Sequence, residues 1–144
     1  MRHPESEHQQ AYFKWARMHP LAKWAFAVPN GGARSKVTAA ILKAEGVLAG
    51  VPDVLVPVPI NGYHGLFIEF KHGSNKPSPE QQEFLERMIS FGYCCAVVYD
   101  WLLAKSLTTD YFMGYVKPSD GVYVLKPDKR VNLLTARQPA NRGA

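Results

Sequence analysis

Glu69 and Lys71 lie two residues apart in the run Gly65-Leu66-Phe67-Ile68-Glu69-Phe70-Lys71. Positions two apart in a strand share a face, so a carboxylate and an ammonium stand together. Leu66, Ile68 and Phe70 then point the other way, into a core. A surface strand carrying an ion pair has the same pattern, and the pair alone is a weak signal. Asp53 strengthens it. It opens the β-branched run Val51 to Val58, directly after Gly50-Val51-Pro52. Asn61-Gly62 between the two runs predicts a hairpin. Hairpin pairing can set the start of the first strand beside the end of the second, with Asp53 near Glu69. An ordinary strand-start Asp after proline is the competing reading. Two carboxylates converging with a lysine suit a hard divalent cation such as Mg²⁺, which takes oxygen ligands and keeps several waters. Such a cation lowers the pKa of bound water and offsets charge on a phosphate in a transition state. Lys71 can steady the water or the phosphate.

The elements that must hold these residues follow from periodicity. Ser6 to about Met18 predicts a helix, with Ser6 as cap, Gln9 at the capping-box position, and Ala11, Tyr12, Trp15 and Ala16 as the apolar stripe. Glu7, four residues before Ala11 and eight before Trp15, falls near the buried face, an odd place for an idle carboxylate. Trp24 to Val28 predicts a strand, and Asn30-Gly31 a turn. A helix from Lys36 to Glu45 follows, capped by Ser35, with Val37, Ala40, Ile41 and Ala44 facing inward and Gly46 as its stop. Pro57 and Pro59 limit the far end of the first hairpin strand. Ser78-Pro79-Glu80-Gln81 opens a third helix that Gly92 ends. Tyr93 to Tyr99 is a buried strand, and Asp100 caps a helix running to about Met113. Beyond Gly114, Tyr115-Val116 and Val122 to Leu125 form a candidate pair of strands. Residues 1–136 read as one domain and 137–144 as a flexible basic tail. Interleaved helices and strands predict an α/β fold with a mixed sheet.

Bulk properties narrow the class. The 144 residues are one domain in size, and 47% hydrophobic composition suffices for a core. The net charge of +5 suits a nucleic-acid partner without requiring one. Cys94 and Cys95 are adjacent, so a strand would point them to opposite faces and they would not bridge. Free thiols fit a reducing cytosol. The polar N-terminus does not read as a signal peptide, and no apolar run is long enough for a bilayer. His3, His8, His19, His64 and His72 form no zinc-ligand spacing with the cysteines. Tyr12, Trp15 and Trp24 read as core.

Pro52-Asp53 followed by Glu69-Phe70-Lys71 is the PD...ExK signature of restriction-endonuclease-like nucleases. The surroundings sharpen it. Asn30-Gly31-Gly32-x-Arg34, Leu42 to Asp53, Gly65 to Lys71, Ser78-Pro79-Glu80-Gln81 and Gly92-Tyr93 together resemble the VRR-NUC domain, the virus-type replication-repair nuclease. The resemblance spans about Glu7 to Trp101. It implies a restriction-endonuclease-like α-β-β-β-α-β core and cleavage of phosphodiester bonds with Mg²⁺ or Mn²⁺. Position by position, it implies Asp53 and Glu69 as metal ligands, helped by the backbone carbonyl of Phe70 and by an early helix acid best matched by Glu7, with Glu5 a nearby competitor. Lys71 is then the catalytic lysine, and Gln81 completes the motif. An ordinary capping-box role explains Gln81 almost as well. Stand-alone viral and bacterial members are similar to four-way-junction resolvases and act as homodimers, and this chain has no room for the extra domains of larger members. The resemblance therefore implies branched DNA as substrate, a homodimer, no nucleotide cofactor and no membrane, in the cytoplasm of a bacterium or a phage-infected host. DNA phosphate contacts are expected from Asn30, Gly31, Arg34 and Lys36, and from Lys76 in the loop before the third helix.

Two other readings compete. A non-catalytic DNA-binding or assembly module could keep the fold, but an intact Asp53, Glu69 and Lys71 argues against decay. A small-molecule α/β enzyme would lack its usual marks, since no G-x-G-x-x-G or P-loop occurs.

Overall fold

The computed structural model describes residues 3–29, 35–118 and 121–127. The expected tail 137–144, and Asn30, Gly31 and Arg34, lie outside the described residues. The chain order is α1 (Pro4–Ala16), a short 3-10 turn (Ala22–Trp24), β1 (Phe26–Ala27), α2 (Lys36–Ala44), β2 (Val54–Val56), β3 (Leu66–Phe70), α3 (Pro79–Ser90), β4 (Cys94–Val98), α4 (Trp101–Phe112) and β5 (Tyr123–Leu125). The five strands form one sheet in the order β1-β2-β3-β4-β5. β1, β2 and β3 pair antiparallel, whereas β3, β4 and β5 run parallel. The architecture is the expected α/β fold with a mixed sheet and flanking helices.

The two-residue side-chain period sorts the sheet into two cores. Leu66, Ile68 and Phe70 of β3, with Cys94, Ala96 and Val98 of β4, face Tyr12 and Ala16 of α1 and Ala104, Leu107 and Tyr111 of α4. Phe67, Cys95, Val97 and Tyr99 face Leu85 of α3 on the opposite side. The adjacent thiols are thus free and buried in different cores. Between β2 and β3 the chain reverses at Asn61 and Gly62, both with positive φ, inside an Ile60–Tyr63 bridge. That is the geometry a two-residue hairpin turn requires.

Several expectations are corrected. α1 begins at Pro4 after His3, two residues before the expected start, and Ser6 accepts a hydrogen bond from Gln10 instead of capping. A proline pre-set for the first turn outweighs the capping box. β1 shortens to two residues, and Trp24 is 65% exposed, not core. α2 has its Ser35 cap, but Val37 and Ile41 are exposed, because no described element packs over that face. β5 pairs with β4 in parallel, not with Tyr115-Val116, since burying Tyr123 and Leu125 requires the open sheet edge.

Candidate active site

Asp53, Glu69 and Lys71 meet at the end of β3 that faces the start of β2. The register Val54↔Ile68 places Asp53 opposite Glu69. The Asp53 N–H donates to Glu69 Oε1 at 3.2 Å, and the Phe70 N–H donates to Asp53 Oδ2 at 2.8 Å. Hairpin pairing therefore does deliver Asp53 to the carboxylate that strand periodicity pairs with Lys71. Lys71 Nζ lies 3.1 Å from Glu69 Oε2. On the same oxygen, Gln81 Nε2 donates at 2.8 Å.

Gln81 is a helix cap and also a direct hydrogen-bond partner of Glu69. Its Oε1 accepts from the Ser78 N–H at 2.8 Å while its own N–H donates to Ser78 Oγ, a complete capping box. The cap fixes the side chain so that its amide N–H₂ reaches Glu69. Gly50 brings α3 this close. Its φ of +90° suits glycine, and a Cβ there would lie 2.6 Å from the Glu80 carbonyl oxygen and 3.1 Å from the Gln81 nitrogen. The same glycine leads into Val51-Pro52-Asp53. One residue thus seats both the Asp53 strand and the Gln81 helix, a role that motif spacing alone did not assign.

The two carboxyl groups are electrostatically at odds. Glu69 is 3% exposed. Burial, and then the neighbouring Asp53 charge, push its pKa up to about 8 against the pull of Lys71. Burial also raises Asp53, opposed by the Phe70 N–H, the bond with Glu69 and Lys71. Two carboxylates this close, one buried and one half-buried, resist ionising together unless a cation joins them. The donor set fits a divalent ion. Asp53 Oδ2 accepts the Phe70 N–H, and the same carboxyl group shares a side-chain hydrogen bond with Glu69, so the two acids present their oxygens side by side. Carrying the register two residues on sets Phe70 opposite Pro52, which has no N–H to offer the Phe70 carbonyl. Two carboxylates and a carbonyl are the sparse oxygen set that Mg²⁺ accepts alongside water. Among the described residues no three His, Cys, Asp or Glu side chains form a metal cage by themselves.

The helix acid facing this pair is Glu5, not Glu7. Glu7 is exposed. The negative charge of Glu5 acts on Asp53 and raises it further, and its Oε2 accepts from Asn75 Nδ2 at 3.3 Å. The reason is the phase of α1. Its fully buried residues are Tyr12 and Ala16, and counting back by helical steps leads to His8 and Glu5. Tyr12 locks that phase by packing on Phe70 at 5.9 Å and bonding Thr108 of α4 at 2.9 Å. His8 Nδ1 accepts the Trp101 N–H, and its ring lies 6.5 Å from that of His72. Of the expected DNA contacts, Lys76 is exposed in the β3–α3 loop. Lys36 is exposed at the start of α2.

A hairpin-borne Asp, a buried Glu and a Lys at a strand end, set on a mixed sheet with helices on both faces, have the arrangement of the PD...ExK signature. A family model for the VRR-NUC domain matches residues 1–100. This chain belongs to the VRR-NUC family, and its domain is of a nuclease type. A solved structure titled VRR_NUC domain protein superposes with a TM-score of 0.68 at 28% identity, covering 79% of this chain and 92% of that chain. A comparison with curated proteins found no match. Among the described residues no helix is long and apolar enough to cross a membrane.

Proposed function

We propose that this protein is a metal-dependent endonuclease that hydrolyses DNA phosphodiester bonds, acting as a homodimer on four-way junctions or other branched DNA. The observation that carries the reading is the close pairing of half-buried Asp53 with buried Glu69, with Lys71 and Gln81 on one Glu69 oxygen. Asp53, Glu69 and the Phe70 carbonyl would hold Mg²⁺ or Mn²⁺, with the Glu5 charge nearby. When bound, the ion supplies charge neutralisation and an acidified water. Lys71 places a fixed positive charge beside the ligands, where it can orient a water or offset charge growing on a phosphate. Gln81 donates to the Glu69 oxygen that Lys71 also engages, while the Asp53 N–H holds the other oxygen, so the carboxylate does not rotate away from Asp53. A junction cut symmetrically needs two sites, and one chain carries one.

The test is cleavage of linear, flap, splayed and four-way DNA by purified protein with Mg²⁺ or Mn²⁺, beside Asp53→Ala and Lys71→Ala. Loss of a single buried charge-stabilising group commonly lowers kcat by about 10²–10³-fold. Equal cutting by wild type and variants would sink the reading. Light scattering checks the dimer, and a clean monomer at assay concentration would refute the junction-resolving form.

A further inference from the structure

The parallel half of the sheet aligns a second set of groups beside Lys71. Phe70 pairs with Val98, and Val98 with Leu125. One residue further along each strand, Lys71, Tyr99 and Lys126 follow in lateral order. They also share a face, because Phe67, Cys95, Val97 and Tyr99 cluster with Val122 and Val124 while their alternates lie in the other core. Neighbouring strands are about 4.8 Å apart, so the Lys126 backbone stands roughly 10 Å from that of Lys71.

Tyr99 fixes the position between them. Its hydroxyl donates to the Asn75 carbonyl at 2.6 Å, and it is 6% exposed. Lys126 Nζ sits 4.9 Å from the Tyr99 ring centroid. Such a cation–π contact restrains a long side chain that would otherwise sweep freely. Lys126 is exposed, and no ion pair holds it among the described residues. Lys76 lines the same cavity of about 340 Å³, whose walls are Leu85, Val97 and Val124, with Glu86 also present.

We infer that Lys126, positioned by Tyr99, binds a backbone phosphate of the substrate strand, which crosses the ends of β3, β4 and β5 from Lys71 towards Lys126. This rests on the nuclease reading and adds the path of the strand. At about 3.4 Å of axis rise per nucleotide, the contacted phosphate lies two to three nucleotides from the one at Lys71. Tyr99 is a positioning residue, since its ring is covered and its hydroxyl is engaged.

The experiment is anisotropy of a fluorescein-labelled splayed duplex in EDTA across a salt series, with the full chain. Lys126→Gln is expected to weaken binding roughly five- to tenfold at 0.1 M salt and to reduce the salt slope by about 0.7–0.9. Lys14→Gln, an equal charge change on the exposed side of α1, should leave the slope unchanged, and Lys126→Arg should restore binding. Tyr99→Leu should lose as much as Lys126→Gln, and the double variant should lose no more. A single neutral methylphosphonate two to three nucleotides from the cut should weaken wild type and not Lys126→Gln. Circular dichroism confirms folding of each variant. Equal slopes in wild type and Lys126→Gln, or equal losses in Lys14→Gln, overturn the inference even if the enzyme cuts. Additive loss in the double variant overturns the positioning by Tyr99. Lys126-dependent binding without any cleavage would instead overturn the nuclease reading alone.

Discussion

Replacing Glu69 by Gln should flatten the pH dependence of stability in metal-free protein. Burial and the Asp53 charge hold the Glu69 pKa at about 8 in the folded chain, above an ordinary value near 4.5. Between those values the native state keeps a proton that the unfolded chain releases. Stability from this group is therefore complete below about pH 4.5 and is lost as pH rises towards 8. At about 1.4 kcal/mol per pH unit for one proton, the loss between pH 4.5 and pH 7 is about 3 kcal/mol. The raised Asp53 acts in the same direction. Gln has the size and hydrogen-bonding reach of Glu without the charge, so Glu69→Gln should lose less stability than wild type over this range, by about 3 kcal/mol. Urea denaturation at pH 5, 6, 7 and 8 in EDTA measures the two slopes, and comparison within each variant cancels any constant cost of the substitution. Saturating Mg²⁺ or Mn²⁺ should flatten the wild-type slope and leave the variant little changed, because a cation stabilises only an ionised native pair. Equal slopes for wild type and Glu69→Gln in EDTA would refute the reasoning.

Gly50→Ala should lower Tm by roughly 5–10 °C, from an unfavourable positive φ and a methyl driven against the Glu80 carbonyl. Gly46→Ala, also at positive φ but with nothing near its Cβ, is the control and should lose less stability and no cleavage activity. Gln81→Ala should lose about 1 kcal/mol with the capping box and also reduce cleavage. Gln81→Glu should retain the cap, yet still reduce cleavage by placing a third carboxylate against Glu69, which separates the two roles in one pair of assays. Glu5→Gln should move the acid limb of the cleavage pH profile lower, since the Glu5 charge raises Asp53, while Glu7→Gln should leave the profile in place.

The amino-acid sequence determined the local pieces. A two-residue period put Glu69 and Lys71 on one face and Leu66, Ile68 and Phe70 on the other, because strand geometry allows nothing else. Ser78, Pro79 and Gln81 specified the start of α3, and Asp100 that of α4, through hydrogen bonds within a few residues. What lay between distant segments was decided by tertiary packing. The phase of α1 depends on Tyr12 meeting Phe70 and Thr108, and that phase makes Glu5 the acid beside Asp53. The contact between Gln81 and Glu69 depends on Gly50 admitting the Glu80 backbone at a distance that a Cβ would block. β5 joined β4 in parallel because Tyr123 and Leu125 needed the uncovered edge, and this placed Lys126 beside Tyr99. Asp53 belongs to both levels. Its strand and turn were legible, but its carboxylate met the buried Glu69 only when the hairpin closed.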